Sequence, residues 1–192
     1  MLQLNTPIRA GTDEAGRGPL AGPVVGSAVV LTEEQMKHLI CSGLNDSKKL
    51  TEAAREKIFT IINDIGVLWR ARSASNKRID SINILQASLW VMKESVLALP
   101  CEIVHVIIDG NKRIPNLLIP QYPMIKADAS VPEVMAASII AKVLRDRTMK
   151  RLDVIYPQYG FAKHKGYPTK EHRAAIAKYG PSPIHRMSFK LT

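Results

Sequence analysis

The chain has 192 residues, 27 Lys and Arg against 17 Asp and Glu, and a formal net charge of +10. A chain of this length buries roughly 70% of its unfolded surface, so it can hold a core without disulfides or a structural metal. Cys41 and Cys101 stand alone with no CxxC, which argues against a zinc ribbon or disulfide scaffold and favours a reducing, intracellular setting. The apolar runs are too short to span a bilayer, and the opening MLQLNTPIRAG lacks the apolar stretch of a signal peptide. A soluble, cytoplasmic protein is the expectation. Aromatics make up 5% of the chain, too few for a single-strand-binding surface of stacked rings.

The charge is unevenly placed. Residues 1–139 hold 15 Lys and Arg and 14 Asp and Glu, whereas residues 140–192 hold 12 and 3. So local an excess points to a polyanionic partner, with a merely solvated basic face as the alternative.

In chain order, Ile8 to Glu14 reads as a strand running into the turn Ala15-Gly16-Arg17-Gly18-Pro19. Val24 to Leu31, rich in β-branched residues, is its antiparallel partner. Thr32-Glu33-Glu34 opens a short helix and Thr51-Glu52 another, with Thr51 as a cap. A third strand fits Val67 to Ser73. Asp80 or Ser81 is expected to cap a long helix carrying Ile82, Leu85, Leu89, Met92 and Val96 at helical spacing and ending before Pro100. Ile103 to Ile108 reads as a buried central strand ending in Asp109-Gly110-Asn111, and Pro123 to Lys126 as a short strand. Val131 to Leu152 is a long helix, and Thr169 to Tyr179 a last helical piece among Pro- and Tyr-punctuated loops. With no repeat or linker, the pattern predicts one domain of α/β class with a mixed sheet flanked by helices and a helical C-terminal portion.

The acids need their own account. Asp13 and Glu14 end the first strand, Asp109 ends the most buried one, and Asp128 precedes a helix. Carboxylates at strand ends converge on one sheet edge. Mg²⁺ and Mn²⁺ take oxygen ligands, and two such ions roughly 4 Å apart can activate water and stabilise the leaving oxygen of a phosphodiester. Neighbouring strand residues face opposite ways, so Asp13 and Glu14 share one site only if a bulge or the turn redirects one of them. Taken singly, each acid also fits a turn, cap or ion pair.

Gly16-Arg17-Gly18 lets backbone approach a phosphate or ribose, or simply makes a tight hairpin turn. It is no dinucleotide fingerprint, since Pro19 stands where a helix should begin. The histidines form no HExxH, and no serine sits in a GxSxG elbow. The basic loop Lys163-His164-Lys165-Gly166-Tyr167 can hold phosphates while Tyr167 packs on a sugar; a core tyrosine is the alternative. Asp46-Ser47-Lys48-Lys49 is a second phosphate-contact candidate, or a solvated turn before Thr51.

The run from Asp13 to Val25, DEAGRGPLAGPVV, resembles the signature opening of ribonuclease HII. The likeness continues at Asn45 to Leu50, Ile108 to Asn111, Lys126 to Asp128, Ala136 to Asp146, His164 to Tyr167 and His185 to Phe189, in family order over nearly the whole chain. The resemblance implies a ribonuclease H-like fold over residues 1–192, with a catalytic sheet and helices in about 1–150 and substrate-binding helices and loops in about 151–192. It implies an endonuclease that cuts the RNA strand of RNA–DNA hybrids and 5′ to single ribonucleotides in duplex DNA, leaving a 3′-hydroxyl and a 5′-phosphate.

On the family's pattern Asp13, Glu14, Asp109 and Asp128 hold two Mg²⁺ or Mn²⁺ ions. Gly16, Arg17 and Gly18 read the ribose–deoxyribose junction, and Tyr167 packs on the deoxyribose beyond it. Ser47 and Lys48 are candidate substrate contacts, Asp146 reads as structural, and His164 stays open. Ribonuclease HIII replaces the Arg of this turn and carries an extra N-terminal domain, so Arg17 and the twelve residues before Asp13 argue against it as an expectation. Pro168 departs from the family's usual Gly after the tyrosine. A monomer without a membrane partner is expected. The rivals are a non-catalytic hybrid-binding module and a different nuclease or resolvase of the same fold acting on all-DNA branched substrates.

Overall fold

The computed structural model describes residues 8–191; the first residues of the opening stretch read above for a signal peptide lie outside that range. β1 (Arg9–Ala15) and β2 (Val24–Val30) form the expected antiparallel pair, with Asp13 opposite Ser27 and Glu14 opposite Gly26. Helix α1 (Glu33–Cys41) opens on a capping box in which Thr32 and Gln35 satisfy each other's backbone N–H groups. Thr51 caps α2 (Glu52–Asp64) through the Ala54 N–H, as its sequence position suggests. β3 (Leu68–Ala74) pairs antiparallel with β2.

The next segment departs from expectation. Instead of one helix starting at Asp80 or Ser81, there are two: α3 (Asn76–Ile82), capped by Ser75, and α4 (Ile84–Leu97), capped by Asn83. Asn83 itself takes φ 65°, a left-handed conformation that breaks the helix while its side chain accepts the Gln86 N–H. Asp80 is instead an anchor: its carboxylate accepts the N–H groups of Met187 and Ser188 and the Ser188 hydroxyl.

β4 (His105–Asp109) and β5 (Gln121–Met124) complete the sheet; the first starts two residues later than read, and the second is displaced toward the N-terminus from 123–126. Gln121 explains the displacement, since its amide bonds the backbone of Ile114 and Leu117 and seats the strand earlier. The long helix α5 (Pro132–Ile155) follows, then a short α6 (Phe161–His164) and α7 (Lys170–Tyr179), capped by Thr169.

The sheet order is β3-β2-β1-β4-β5, with β1, β4 and β5 parallel and β2 and β3 antiparallel to their neighbours. Every residue of β2 is buried, because helices cover both faces. Leu89, Met92 and Val96 of α4 pack with Ala28, Val106 and Ile108 on one side. Ala137, Ile140 and Val143 of α5 pack with Val29 and with Ile58 and Ile62 of α2 on the other. Gly26 lets α4 approach, since a Cβ there would meet the backbone of Val91 and Met92 at 2.8 Å. A separate apolar cluster, Leu20, Ala21, Met149, Tyr159, Phe161 and Ile176, joins the C-terminal portion to the turn after β1.

Candidate active site and its comparison with known proteins

Parallel pairing of β1 and β4 sets Thr12 beside Ile108, which brings Asp13 and Asp109 out together at the same sheet edge. Asp128 reaches them from a 3₁₀ turn over Ala127–Ala129 that follows Lys126 in a left-handed conformation. Carboxylate oxygens of Asp13, Asp109 and Asp128 lie within 4.8 Å of one another. The Asp128 N–H donates to Asp109 Oδ1 at 3.3 Å, and Asp13 Oδ1 accepts the Glu14 N–H at 2.7 Å.

No bulge redirects Glu14. Strand pairing stays regular through Ala15, so Asp13 points toward α5 and Glu14 toward α4. Asp109, at the strand's end, serves both sides: it also shares with Glu14 and Arg17 a cleft of about 170 Å³ lined by Leu85, Ser88 and Met92 of α4. The two neighbours on β1 thus belong to one region through Asp109 rather than through a bend in the strand.

Burial and mutual repulsion raise these acids' affinity for protons. Asp13 is held well above the usual carboxylate range by burial first, then by the charges of Glu14 and Asp109. Burial raises Glu14, opposed by Arg17, whose guanidinium lies 3.3 Å away. Asp109 is raised by burial and by Asp128. Lys48 donates to Asp128 at 2.6 Å and is itself stabilised in its charged form by that bond. A cluster of carboxylates with only oxygen donors fits a hard divalent cation, which would relieve the repulsion.

Ser47, read as a phosphate contact, is buried and hydrogen-bonds Ser138 Oγ at 2.9 Å. Ser138 also supports Asp13 by hydrogen bonding, which counters part of its rise; sequence reading assigned Ser138 no role. Asp146 pairs with Lys142 and Arg55, away from the acids.

Beside the acids, the turn after β1 is held from below. Gly16 has φ 101°, and a Cβ there would overlap Arg145 Nε and Cδ. Arg186 donates to the carbonyls of Gly16 (2.6 Å), Arg17 (2.9 Å), Gly22 (3.0 Å) and Pro23 (3.2 Å). Arg145 donates to Pro23, Ala21 and Lys165. Both arginines are fully buried, and burial pulls their pKa values down to about 10 for Arg145 and about 9 for Arg186. Gly18, by contrast, faces open space bounded by the Tyr167 ring, 3.5 Å from where a Cβ would stand. Tyr167 is 40% exposed, not a core tyrosine.

Thus the C-terminal charge excess is not simply a basic face. Arg145 and Arg186 are interior props, and Lys142, Arg147, Lys150 and Lys163 pair with Asp146, Glu56, Glu52 and Glu171. The sequence signal for the two props was the long likeness around them; nothing in their spacing marked them as buried.

A family profile described as Ribonuclease HII matches residues 10–192. The chain is 46% identical over 180 residues to Ribonuclease HII of Acaryochloris marina (strain MBIC 11017), covering 94% of this chain and 91% of that protein. Ribonuclease H2 of Pyrococcus horikoshii OT3 superposes with TM-score 0.79 at 30% identity, over 96% of this chain and 94% of that one. The ribonuclease HII in a PCNA:RNase HII complex from Archaeoglobus fulgidus gives TM-score 0.78 at 29% identity, over 93% and 92%. Likeness of this extent, on a sheet whose edge gathers buried carboxylates, makes the chain a member of the ribonuclease HII family and a nuclease of ribonuclease H activity.

Proposed function

We propose that the chain cuts the RNA strand of RNA–DNA hybrids and also cuts 5′ to single ribonucleotides embedded in duplex DNA, acting as a monomer with two divalent ions. The observation that carries this reading is the convergence of Asp13, Asp109 and Asp128 within 4.8 Å next to a Gly-rich turn and an exposed tyrosine. In it Asp13, Glu14, Asp109 and Asp128 hold the ions. Mg²⁺ or Mn²⁺ bound there would supply a lowered water pKa and positive charge for the departing 3′ oxygen.

The chain's own residues orient the substrate. Gly18, whose missing Cβ leaves open space beside the Tyr167 ring, lets a ribose approach closely enough for its 2′-hydroxyl to be tested, and Gly16, whose missing Cβ makes room for Arg145, offers its backbone from the same turn. Arg17, with 54% of its side chain exposed, offers a charged fork to the phosphate beside the junction. Tyr167 closes the other side of Gly18 and packs on the next sugar, which fits a deoxyribose better than a ribose. Lys48 donates to Asp128 at 2.6 Å and keeps that carboxylate aimed at its neighbours. Residues up to about 150 supply the cutting edge, and those beyond supply Tyr167 and part of the grip.

A labelled DNA duplex with one ribonucleotide, an all-DNA control and a long hybrid, each with Mg²⁺, Mn²⁺ or EDTA, tests the reading. Cutting of the first and third with metal only is expected, and Asp109→Asn should remove it while duplex binding persists. Turnover in EDTA, or equal cutting of the all-DNA control, would overturn it.

A further inference from the structure

Three histidines lie together beneath the Tyr167 loop, and the catalytic reading uses none of them. His172 and His185 are fully buried. His164 stacks on His172 with ring centroids 4.4 Å apart, and Phe161 meets His172 edge-on at 5.4 Å. The hydrogen bonds around them have a single consistent direction. The Ser182 backbone N–H, which can only donate, points at His185 Nδ1 at 2.8 Å. His185 must therefore carry its proton on Nε2, which faces His172 Nε2 at 3.1 Å. His172 Nε2 is then the acceptor, and its proton sits on Nδ1, 2.9 Å from the Tyr167 carbonyl, which can only accept.

His164 is fixed in the same way. It accepts the Gly166 N–H on Nδ1 at 3.1 Å and so donates from Nε2 to the Tyr159 carbonyl at 2.8 Å. A second proton on His185 would oppose the Ser182 N–H, and one on His172 would set two donors against each other. Burial agrees, holding the His172 pKa down to about 4 and lowering that of His185.

The chain of bonds has a partner at its other end. Arg186, the residue after His185, bonds the carbonyls of Gly16 and Arg17. The backbone around them joins in: the Arg186 N–H donates to the Leu20 carbonyl, and Ala21 and His185 form a bridge. One dipeptide therefore grips the Gly-Arg-Gly turn with one side chain and, through His172, the Tyr167 backbone with the other. This grip sets the spacing that leaves the Tyr167 ring 3.5 Å from where a Cβ on Gly18 would stand.

We propose that His172 and His185 are positioning residues that, as a directional pair of neutral imidazoles running from Ser182 to the Tyr167 carbonyl, fix the Tyr167 ring against Gly18 and so set discrimination of the ribose–deoxyribose junction. The inference rests on the reading of Tyr167 given above. Nitrogen-15 NMR of the intact protein at pH 7 is expected to show His172 protonated on Nδ1 and His164 and His185 on Nε2. Finding His172 protonated on Nε2, or charged, overturns the proposal, and this measurement needs no variant.

Kinetics supply the second arm, as the ratio of kcat/KM on a single-ribonucleotide duplex to that on a long hybrid. His172→Leu should lower this ratio about tenfold, the scale expected when a contact is displaced by a fraction of an ångström to one. His172→Asn, whose amide N–H can still reach the Tyr167 carbonyl, should recover most of it. A loss of stability alone would lower both substrates equally and would not be rescued. If Tyr167→Ala moves the ratio and a folded His172→Leu does not, the histidine pair is overturned while the tyrosine reading stands. If Tyr167→Ala leaves the ratio unchanged, the tyrosine reading falls, and the inference with it.

Discussion

In the absence of divalent cations, Asp13, Glu14 and Asp109 keep their protons to higher pH than ordinary carboxylates, because burial and neighbouring charge penalise ionisation. A folded-state pKa above the unfolded one gives stability that is whole below about pH 4 and is lost as pH rises through the raised values. At pH 7 the metal-free cluster is thus a cost to the fold. Asp109 is half-buried and partly screened by water, so Asp109→Asn should raise the melting temperature in EDTA by only about 2–4 °C, near 1 kcal/mol. Saturating Mn²⁺ should raise the unsubstituted protein by about 5–10 °C and the variant by much less. Calorimetry at pH 7 checks both; a lower melting temperature for the variant in EDTA would contradict the repulsion. Two glycines of the turn divide in the same concrete way. Gly16→Ala forces a Cβ into Arg145 at φ 101° and should cost at least about 3 kcal/mol as well as activity. Gly18→Ala meets only the Tyr167 ring at 3.5 Å and should leave the melting temperature within about 2 °C while weakening cleavage at a lone ribonucleotide.

At the scale of elements, Asn83 is where the sequence misled. Ile82, Leu85, Leu89, Met92 and Val96 keep helical spacing across it, because both helices lay their apolar faces on the same sheet. Periodicity carries no mark of one left-handed residue, so the break at φ 65° was invisible. Asn83→Ala should cost about 1–2 kcal/mol, through a lost cap and a strained backbone, and Asn83→Gly only a few tenths; urea melts of the two distinguish cap from strain. β2 was legible for the opposite reason, since the valine-rich run Val24–Val30 has one stable arrangement, and β1, with a single β-branched residue, was marked by the Gly-rich turn that joins it to β2; α5 was legible from apolar residues kept at helical spacing. Asp13, Glu14 and Asp109 could be found because they lie at strand ends, whereas Asp128, on a 3₁₀ turn, was marked by its place before a helix and by the family likeness around it. The histidine pair could not, since its bond directions arise only when α7 and the segment around Ser182 and His185 meet in space.

For the whole molecule, the net charge of +10 overstates what a duplex meets. Arg145 and Arg186 are fully buried and several other cations are paired, whereas Arg151, Lys170, Lys178 and Lys190 stay exposed with no carboxylate partner among the described residues. Salt dependence of duplex affinity should therefore be shallow for so basic a chain. Lys170 stands at the start of α7, three residues beyond Tyr167. Lys170→Ala should reduce the slope of log affinity against log salt by about 0.9, the share of one phosphate, with little change in the ratio between substrates. An unchanged slope would remove Lys170 from the interface.

The turn beside the acids is made early in the chain, yet Arg186 props it and Asp80 pins the segment just after, at Met187 and Ser188. During translation, a nascent chain acquires its carboxylates long before it acquires that prop. Until residues 185–188 have been made, the turn has its sequence but not the bonds that hold it in this conformation. Its shape is thus settled by residues 170 positions further along the chain and not by its own local sequence.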